Sequence, residues 1–305
     1  MKQKTSKEIS KLLLKNPLED VSLLDQIDNI LKKKRGRGVI TLPSENTPVI
    51  VLQSGGLDTT ILCEYLMDVY KLKIYPLFLK RGQKRTNEEE KSIDAFTYYF
   101  LKKYPGFYSP PFKMHSPIPP YEIRWPITRV SNDNDKEPEK GKQKQGIPVF
   151  TSLMGDYALQ YAYYLYIREK ILIRDIFCGV MPLDGRYFPY ETLTGIRGAN
   201  LSMCIQTKDY NWQYIPLFIE RELGFYHEKA ETIQWAQSKN IPLELTWSCF
   251  HKGIYHCGNC MGCRARIKAF LHARVPDKTR YFSDTIYFKI SSKIDHVKRK
   301  IQSIL

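Results

Sequence analysis

An apolar run stops at two glycines between residues 49 and 62, and this transition constrains the fold more than any other feature of the chain. The segment reads Val-Ile-Val-Leu-Gln-Ser-Gly-Gly-Leu-Asp-Thr-Thr-Ile-Leu. The pattern predicts a buried strand that ends in a short turn and continues as a helix. Because glycine permits positive φ values and lets a ligand approach the backbone amides closely, we predict that Gly55 and Gly56 form an anion-binding turn.

Hydroxyl groups and a helix N-terminus are expected to face the same turn. Ser54, Thr59 and Thr60 supply side-chain donors, and a helix that begins near Asp58 directs its unpaired N–H groups toward the turn. A pyrophosphate group would suit this pocket. The Asp58 carboxylate is favourable there if Mg²⁺ bridges it to the anion, or if it only caps the helix. The turn has neither the lysine of a Walker loop nor the glycine of a nucleophile elbow.

The following segments alternate between strand and helix patterns. This order is typical of an α/β fold in which helices cover both faces of a parallel sheet. Ligands of such sheets bind at the carboxyl ends of the strands, where the sequence places residues 81–83 and a polar, aromatic loop at 183–191. We predict strands at 74–79, 175–181 and 214–218, and helices at 61–70, 86–103, 150–167, 192–206 and 227–239.

Composition divides the chain into three parts. Residues 1–46 carry two amphipathic helical patterns and predict an N-terminal appendage that ends in a basic, flexible junction at 32–38. Residues 47–246 form the predicted core, in which the polar stretch 131–146 predicts a mobile loop or lid, and 247–305 form a C-terminal segment with a basic tail. The residues of the appendage predicted to be buried are Leu12, Leu13, Leu23, Leu24, Ile27, Ile30 and Leu31.

The charge and hydropathy of the chain limit the classes of partner that it is expected to bind. A net charge of +15 over 305 residues favours an anionic partner such as a nucleotide, tRNA or an acidic protein face, and is also compatible with a solvated basic surface. No apolar run approaches the roughly 18 residues that span a bilayer, and no signal peptide is recognisable. We therefore expect a cytoplasmic protein that does not associate with membranes.

Four of the seven cysteines lie within fifteen positions, in the order C-x7-C-x2-C-x2-C. The two-residue gaps let neighbouring thiolates face one centre, and the more distant cysteine can complete a tetrahedral shell. A closed shell of four sulfurs predicts a structural zinc site, with an iron–sulfur cluster as the alternative. The predicted ligands are Cys249, Cys257, Cys260 and Cys263, with His251 and His256 as competitors, whereas Cys63, Cys178 and Cys204 are expected to be small buried residues.

The glycine turn and the cysteine cluster together resemble the QueC family, the 7-cyano-7-deazaguanine synthases of the ATP-pyrophosphatase (PP-loop) superfamily. The resemblance extends over roughly residues 48–275. Residues 54–59 resemble the family's SGGxDS or SGGxDT loop, and residues 81–83 resemble its YGQ motif. Residues 178–180 resemble its TGV motif, and residues 229–232 resemble its KAET element. Its zinc segment is matched by Ser248, the four cysteines and Arg266.

The resemblance implies an adenine-nucleotide α-hydrolase-like (Rossmann-like) fold and an ATP-dependent ligase. In that family the carboxylate of 7-carboxy-7-deazaguanine attacks the α-phosphate of ATP, pyrophosphate leaves, and ammonia converts the acyl-adenylate to an amide and then a nitrile. The implied cofactors are ATP, Mg²⁺ and structural Zn²⁺. The implied catalytic residues are Asp58 and Lys229; ATP or pyrophosphate would be bound by Ser54, Gly55, Gly56, Asp58, Thr59, Thr60 and Gln83, and the deazaguanine by Asp184, Arg186, Tyr187, Phe188 and Glu191.

The sequence also departs from the family pattern. Arg81 stands in place of the tyrosine of YGQ, and the family's proline-glycine-arginine-asparagine element lacks its arginine and asparagine near residues 149–156. The tract 183–226 is longer than expected, and about 45 residues precede the core. Some QueC-like proteins of antiphage defence systems join a deazaguanine to the amino terminus of a partner protein, and altered loops would suit such a bulky acceptor.

Three functional hypotheses remain open. The first is a ligase, expected to be a homodimer, that condenses a deazaguanine with either ammonia or the amine of a partner protein. The second is a non-catalytic module, stabilised by zinc, that binds RNA or an acidic protein. The third, a PP-loop tRNA thiolase, is less favoured because no separate RNA-binding domain is recognisable and the clustered cysteines are assigned to a metal.

Overall fold

A five-stranded parallel sheet forms the centre of the molecule. The computed structural model describes residues 1–124, 147 and 149–282. The strand order is β3-β2-β1-β4-β5, and the central strand is fully buried from Val49 to Val51. The predicted α/β fold with a parallel sheet is confirmed. The strands are β1 (Pro48–Leu52), β2 (Lys73–Lys80), β3 (Phe112–His115), β4 (Asp175–Phe177) and β5 (Gln213–Ile215).

The order of the strands reverses between β1 and β4. The chain builds β2 and β3 on one side of β1 and then crosses to build β4 and β5 on the other side. A parallel sheet opens a crevice at the carboxyl ends of the two strands where its order reverses. A ligand site is therefore expected where β1 and β4 end. The loop predicted at 131–146 belongs to this crossover and lies outside the described residues.

Helices cover both faces of the sheet. The predicted helices are confirmed with small changes at their ends, whereas β3 and the last helix were not anticipated from the sequence. Among the described residues, no helix combines the length and apolarity needed to cross a membrane. The helices are α1 (Ser6–Leu13), α2 (Val21–Arg35), α3 (Leu57–Tyr70), α4 (Thr86–Lys103), α5 (Phe150–Glu169), α6 (Leu193–Thr207), α7 (Lys229–Ser238) and α8 (Met261–Ala273).

Two predicted strands are shorter than expected. The strand predicted at 175–181 ends at Phe177, and the one predicted at 214–218 ends at Ile215. In the second case Pro216 has no N–H to donate to the sheet, and the chain turns into a short 3-10 helix at Leu217–Ile219. The apolar residues beyond both strand ends are nevertheless buried, which is why the hydrophobic pattern alone overestimates the strands.

The N-terminal helices share one hydrophobic core with the sheet. Four of the residues predicted to be buried, Leu13, Leu24, Ile27 and Leu31, lie in this core together with Ile9, and Leu12 packs against it while partly exposed. The prediction was wrong for Leu23 and Ile30, whose exposed fractions are 44% and 45%, because both point away from the core.

The basic junction predicted at 32–38 is not a free linker. Helix α2 continues to Arg35, and Gly36 ends it in a left-handed conformation with φ of 63°. The Arg35 guanidinium donates to the carbonyl oxygen of Tyr210 over 2.7 Å and also to that of Trp212. These contacts fix the end of α2 against the segment that precedes β5.

A buried group of charges also joins α2 to the core. The Arg197 guanidinium lies 2.6 Å from a carboxylate oxygen of Asp28 and 2.7 Å from one of Glu220. Arg221 reaches the second oxygen of Asp28 over 2.9 Å. Burial raises the pKa of Asp28, although Arg197 opposes the shift. Removing one partner of such a buried group typically costs about 3–5 kcal/mol, so these ion pairs hold α2, α6 and residues 220–221 together.

Candidate active site and metal centre

The glycine turn after β1 has the backbone that a close approach to a ligand requires. Gly55 has φ of 72°, and a Cβ atom there would lie 2.5 Å from the carbonyl oxygen of Glu89, so no other residue fits without strain. Gly56 differs, because it is extended and is the N-cap of α3. The turn is held from outside by the Ser92 hydroxyl and the Trp247 amide, which donate to the Gly55 carbonyl over 2.7 Å and 3.0 Å.

The predicted hydroxyl donors separate into two groups. Ser54 and Thr59 line a cavity beside the turn, and their hydroxyl oxygens lie 3.1 Å apart. The Ser54 hydroxyl also accepts a hydrogen bond from the Gly56 amide over 3.2 Å. Thr60 is fully buried and does not line this cavity, and within the described part of the chain its hydroxyl has no hydrogen-bond partner.

Asp58 and Lys229 form an ion pair beside the turn. A carboxylate oxygen of Asp58 lies 2.8 Å from the Lys229 ammonium, and each side chain is about one-fifth exposed. Lys229 is the first residue of α7, where the helix dipole disfavours a cation unless an anion lies nearby. Burial lowers the pKa of Lys229, but the carboxylates of Asp58 and Asp184 more than offset this, so its net pKa is raised. Lys229 therefore keeps its charge.

The second oxygen of Asp58 is available to a further ligand. It is buried and makes no hydrogen bond to the residues that the structure describes. A buried carboxylate oxygen left unpaired costs about 1–3 kcal/mol, and oxygen ligands of this kind suit Mg²⁺. The residues at the turn thus fit a magnesium ion. Asp58 is not the cap of α3, since Gly56 occupies that position.

A cavity of about 180 Å³ lies at the carboxyl ends of β1 and β4, where the strand order reverses. This volume is below the roughly 300–1,000 Å³ of pockets for drug-sized ligands, and suits one small ring system. Its lining combines the hydroxyls of the turn, charged groups and apolar or aromatic surface. The polar and charged lining residues include Ser54, Thr59, Arg81, Gln83, Asp184 and Glu191.

Two carboxyl groups in the cavity have raised pKa values. Burial raises the pKa of Asp184 to about 6, with Lys229 opposing the shift and Asp58 adding to it. Burial also raises the pKa of Glu191 well above its usual range; Asp184 adds to this shift and Arg81 opposes it. Burial thus favours the neutral form of both carboxyl groups, and Asp184 further raises the pKa of Glu191 because they share one cavity.

Arg81 places a guanidinium group against the same cavity. Its Cζ atom lies 4.9 Å from the centre of the Phe150 ring, and within the described ranges no carboxylate lies within ion-pair distance of it. Burial lowers the pKa of Arg81 to about 10, although Glu89 opposes the shift. A partly desolvated cation without a bonded anion is suited to an anionic ligand.

The other residues predicted to contact the substrate lie elsewhere. The Arg186 side chain points outward and is 3.0 Å from a carboxylate oxygen of Glu228. Tyr187 and Phe188 do not line the cavity either. Of the predicted substrate residues, only Asp184 and Glu191 do so, and each belongs to a separate 3-10 turn, at Asp184–Arg186 and at Pro189–Glu191. Gln83 lines the cavity and donates to the Glu89 carboxylate.

Sequence reasoning missed part of the cavity wall. Apolar and aromatic residues dominate this part, and the sequence does not mark them because the same residue types are expected in the hydrophobic core. The missed residues include Gln53, Phe78, Glu89, Phe150, Thr151, Met154 and Tyr214.

Replacing Gly179 by alanine is expected to disturb the glycine turn. A Cβ atom at this position would lie 2.7 Å from the Thr59 methyl group and 3.1 Å from the Thr59 amide, so the start of α3 must shift. We expect the rate of any reaction that uses the turn to fall by about tenfold to a hundredfold, as for a displacement of about 1 Å. Gly198→Ala in α6 is the matched control, because a Cβ atom there meets nothing within 4 Å. Equal rates for the two variants would show that the Gly179 contact does not control the turn.

Asp184 is expected to make the stability of the fold depend on pH. Its folded pKa of about 6 lies above the usual 3.8, so its contribution to stability is fully present below about pH 4 and is lost as the pH rises through 6. Asp184→Asn should therefore raise the free energy of unfolding at neutral pH by about 1–2 kcal/mol, and change it little at acid pH. Urea unfolding of both proteins across this range measures the difference. A constant difference at all pH values would contradict the assignment.

The four predicted metal ligands meet at one point. The sulfur atoms of Cys249, Cys257, Cys260 and Cys263 all lie within 4.8 Å of one another. Two of the sulfur–sulfur distances are 3.8 Å and 3.9 Å, close to the edge of about 3.8 Å expected for a tetrahedron with zinc–sulfur bonds of about 2.3 Å. The cluster can therefore hold a metal ion.

The structure also shows the positions of the two nearby histidines and of the three cysteines outside the cluster. The His256 Nε2 atom accepts a hydrogen bond from the Ser248 amide over 3.0 Å, and His251 is exposed. Among the described residues, neither histidine belongs to the group whose ligand atoms meet at the metal site. Cys63, Cys178 and Cys204 are buried, as predicted.

The cysteine cluster is connected to the glycine turn through the backbone. Gly262 packs against the Ser248 carbonyl so closely that a Cβ atom would lie 2.2 Å from its oxygen. Trp247, the preceding residue, donates its amide to Gly55. Arg266 of α8 is buried and donates to the Leu243 carbonyl over 2.9 Å and to the Thr246 hydroxyl over 2.6 Å. These contacts join the cluster to the turn.

Comparison with known proteins finds one family model and several relatives that match this chain. A family model described as QueC, queuosine biosynthesis protein QueC, matches residues 128–274, which include β4, Lys229 and the cysteine cluster but begin after the glycine turn. The 7-cyano-7-deazaguanine synthase of Clostridium kluyveri is 24% identical over 76% of this chain and 96% of that protein. The corresponding protein of Acetivibrio thermocellus is 29% identical over 77% of this chain and 98% of that protein. The chain is similar to QueC proteins over most of its length.

Two further matches are more limited. The 7-cyano-7-deazaguanine synthase of Campylobacter fetus subsp. fetus is 34% identical, but over only 35% of the QueC-like chain and 46% of that protein. Among solved structures, the U34-tRNA thiolase NcsA from Methanococcus maripaludis with its 4Fe-4S cluster has a TM-score of 0.34 at 14% identity, covering 88% of this chain and 84% of that one.

Proposed function

We propose that this QueC-like chain is an ATP-dependent ligase that adenylates the carboxylate of 7-carboxy-7-deazaguanine, releases pyrophosphate and transfers the acyl group to an amine. The observation that carries the proposal is the position of one cavity between the glycine turn and a pair of carboxyl groups, Asp184 and Glu191. The turn supplies donors for a pyrophosphate group, and the carboxyl pair supplies polar groups for a ring system. The relatives named 7-cyano-7-deazaguanine synthase support the same substrate class.

In the first step a carboxylate oxygen of the substrate attacks the α-phosphorus of ATP. The bond between the α-phosphorus and the bridging oxygen breaks, and pyrophosphate leaves with the electron pair. Ser54, Thr59 and the N-terminal amides of α3 would hold the pyrophosphate, while Lys229 stabilises the charge that develops on it. Asp58 would bind magnesium through its free oxygen, and the ion, when bound, neutralises phosphate charge.

In the second step an amine nitrogen attacks the acyl carbon, AMP leaves, and the nitrogen loses a proton to give an amide. With ammonia, a second activation by ATP would remove the amide oxygen and produce the nitrile. With the amino terminus of a protein, the reaction would stop at the amide. The same activation site serves both acceptors.

The carboxyl pair would recognise the deazaguanine ring. The carboxylate form of either group would accept hydrogen bonds from N–H groups of the ring edge, and the protonated form, which burial favours, can both donate and accept. Arg81 would attract the substrate's carboxylate before the attack on ATP, a role that the tyrosine of the family pattern cannot supply by charge. The apolar and aromatic wall would exclude water from the acyl-adenylate.

The cysteine cluster would bind one zinc ion with a structural role. Its four sulfurs leave no open position for a substrate, and the sulfur distances fit a tetrahedral shell. Bound zinc would stabilise the folded segment that supports Gly55 through Trp247.

Mass spectrometry after reaction identifies the acceptor. The protein is incubated with ATP, Mg²⁺ and 7-carboxy-7-deazaguanine, either with ammonium ions or with candidate partner proteins. A small-molecule amide or nitrile identifies ammonia as the acceptor, and an intact protein that gains the mass of the acyl group identifies a protein amine. If neither product forms in any mixture, the proposed ligase function is wrong.

A further inference from the structure

The N-terminal segment contacts the back of the loop that carries the two cavity carboxyl groups. The Asn16 side-chain amide donates to the Gly185 carbonyl over 2.9 Å, and this contact is buried. Gly185 follows Asp184 directly. A Cβ atom on Gly185 would lie 2.9 Å from the Glu191 carbonyl oxygen and 3.4 Å from the Asn16 side-chain nitrogen. The turn at Gly185 is thus packed between Asn16 and the backbone of Glu191.

Glu19 holds the other end of the same loop. Its carboxylate accepts hydrogen bonds from the amides of Leu193 and Thr194 over 3.0 Å and 2.7 Å. These are the first two amides of α6, which have no partner within the helix, and a negative charge is favourable at this end. Since Glu191 lies two residues before Leu193, the cap fixes where its backbone enters the helix.

The segment also reaches the residues before Lys229. The Lys4 amide donates to the Gly224 carbonyl over 2.9 Å, and the Lys4 ammonium donates to the Tyr226 carbonyl over 2.6 Å. The buried ion pairs of Asp28 fix α2 to α6 behind these contacts. One continuous segment, residues 4–28, thereby contacts both the loop that carries Asp184 and Glu191 and the stretch of chain that leads to Lys229.

We infer that Asn16 and Glu19 are positioning residues, which hold Asp184 and Glu191 at the spacing that a flat heteroaromatic ligand needs. Asp184 and Glu191 lie on one loop of short 3-10 turns, so any movement of its backbone changes the spacing of the two carboxyl groups. The contacts of Asn16 and Glu19 oppose that movement from outside the cavity without touching a ligand. The nature of the ligand rests on the function proposed above, whereas the support of the loop does not.

Three variants separate positioning from general stability. Asn16→Asp keeps the shape of the side chain and the oxygen that accepts from the Leu18 amide, but removes the donor to Gly185 and directs an anion at its carbonyl. Glu19→Gln keeps one acceptor oxygen and should retain more function than Glu19→Ala. Thr5→Ala is the control, because it breaks the capping box of α1 within the same segment but does not touch the loop.

Amide hydrogen exchange is the first readout and does not depend on the substrate. We expect peptides over residues 183–195 to exchange faster in Asn16→Asp and Glu19→Ala than in the unaltered protein, and at the unaltered rate in Thr5→Ala. Wild-type exchange of this loop in both Asn16→Asp and Glu19→Ala would overturn the inference.

Calorimetric titration is the second readout. We expect Asn16→Asp and Glu19→Ala to weaken binding of 7-carboxy-7-deazaguanine by about tenfold or more and to leave binding of a non-hydrolysable ATP analogue within about twofold. Equal weakening for both ligands, or the same weakening in Thr5→Ala, would mean a general loss of stability and would overturn the inference. If the unaltered protein does not bind the deazaguanine, the substrate assignment fails, and the exchange measurement alone decides whether the segment positions the loop.

Discussion

Asp58→Asn is expected to lower pyrophosphate release by about a hundredfold to a thousandfold, the usual effect of removing one charge-stabilising group from an active site. The asparagine keeps the size of the side chain but leaves Lys229 without its counter-ion and the turn without a carboxylate for magnesium. Because both side chains are partly exposed, the loss of the ion pair should change the free energy of unfolding by no more than about 1 kcal/mol. Pyrophosphate release and urea unfolding are measured on the same preparation.

The same two helices provide the matched control. Asp68 near the end of α3 pairs with Lys239 at the end of α7 over 2.8 Å, the same distance as between Asp58 and Lys229. Asp68→Asn removes an equivalent ion pair far along the helices from the glycine turn. We expect it to keep the unaltered rate of pyrophosphate release. If Asp58→Asn and Asp68→Asn are equally active, Asp58 has no role beyond joining the helices.

Cys260→Ser is expected to remove the bound metal and destabilise the fold by more than about 3 kcal/mol, because a metal site contributes its binding free energy to folding. Cys260 is also the N-cap of α8, and its sulfur accepts hydrogen bonds from the amides of Phe250 and Cys263. The variant should lose activity as well, since the cluster supports Gly55 through Trp247. Elemental analysis and thermal unfolding measure the two effects.

Cys204→Ser is the control for the metal experiment. Cys204 is buried away from the cluster, and a serine can still donate to the Trp212 carbonyl that its thiol contacts over 3.5 Å. The unaltered protein and this control should each contain about one zinc ion per chain. Iron with sulfide in place of zinc would contradict the zinc assignment, and full zinc content in Cys260→Ser would contradict the proposed ligand set.

Local chemistry made much of the site recognisable from the sequence. A positive φ value and a close backbone contact require glycine at position 55, so the residue type itself indicates this local structure. The cysteine spacing likewise follows from the geometry of one metal ion. The parallel sheet could be predicted because its buried strands are apolar and alternate with helical patterns.

Long-range contacts set the limit of this reasoning. Asp184 and Arg186 are two residues apart and equally suited to a ligand, but the 3-10 turn sends Asp184 to the cavity and Arg186 to Glu228. The N-terminal helices look like an appendage because their partners, such as Gly185 and Arg197, are more than 160 residues away. Neither periodicity nor composition carries information about such pairs.

Pyrophosphate release that depends on the substrate's carboxylate is the most direct test of the proposed function. The protein is incubated with ATP and Mg²⁺ and either 7-carboxy-7-deazaguanine or 7-deazaguanine, which lacks the carboxylate that would attack ATP. We predict stoichiometric release of pyrophosphate and AMP with the first compound and none above background with the second, once an amine acceptor is supplied. No release with the carboxylate compound, or the same release with both compounds, would contradict the account.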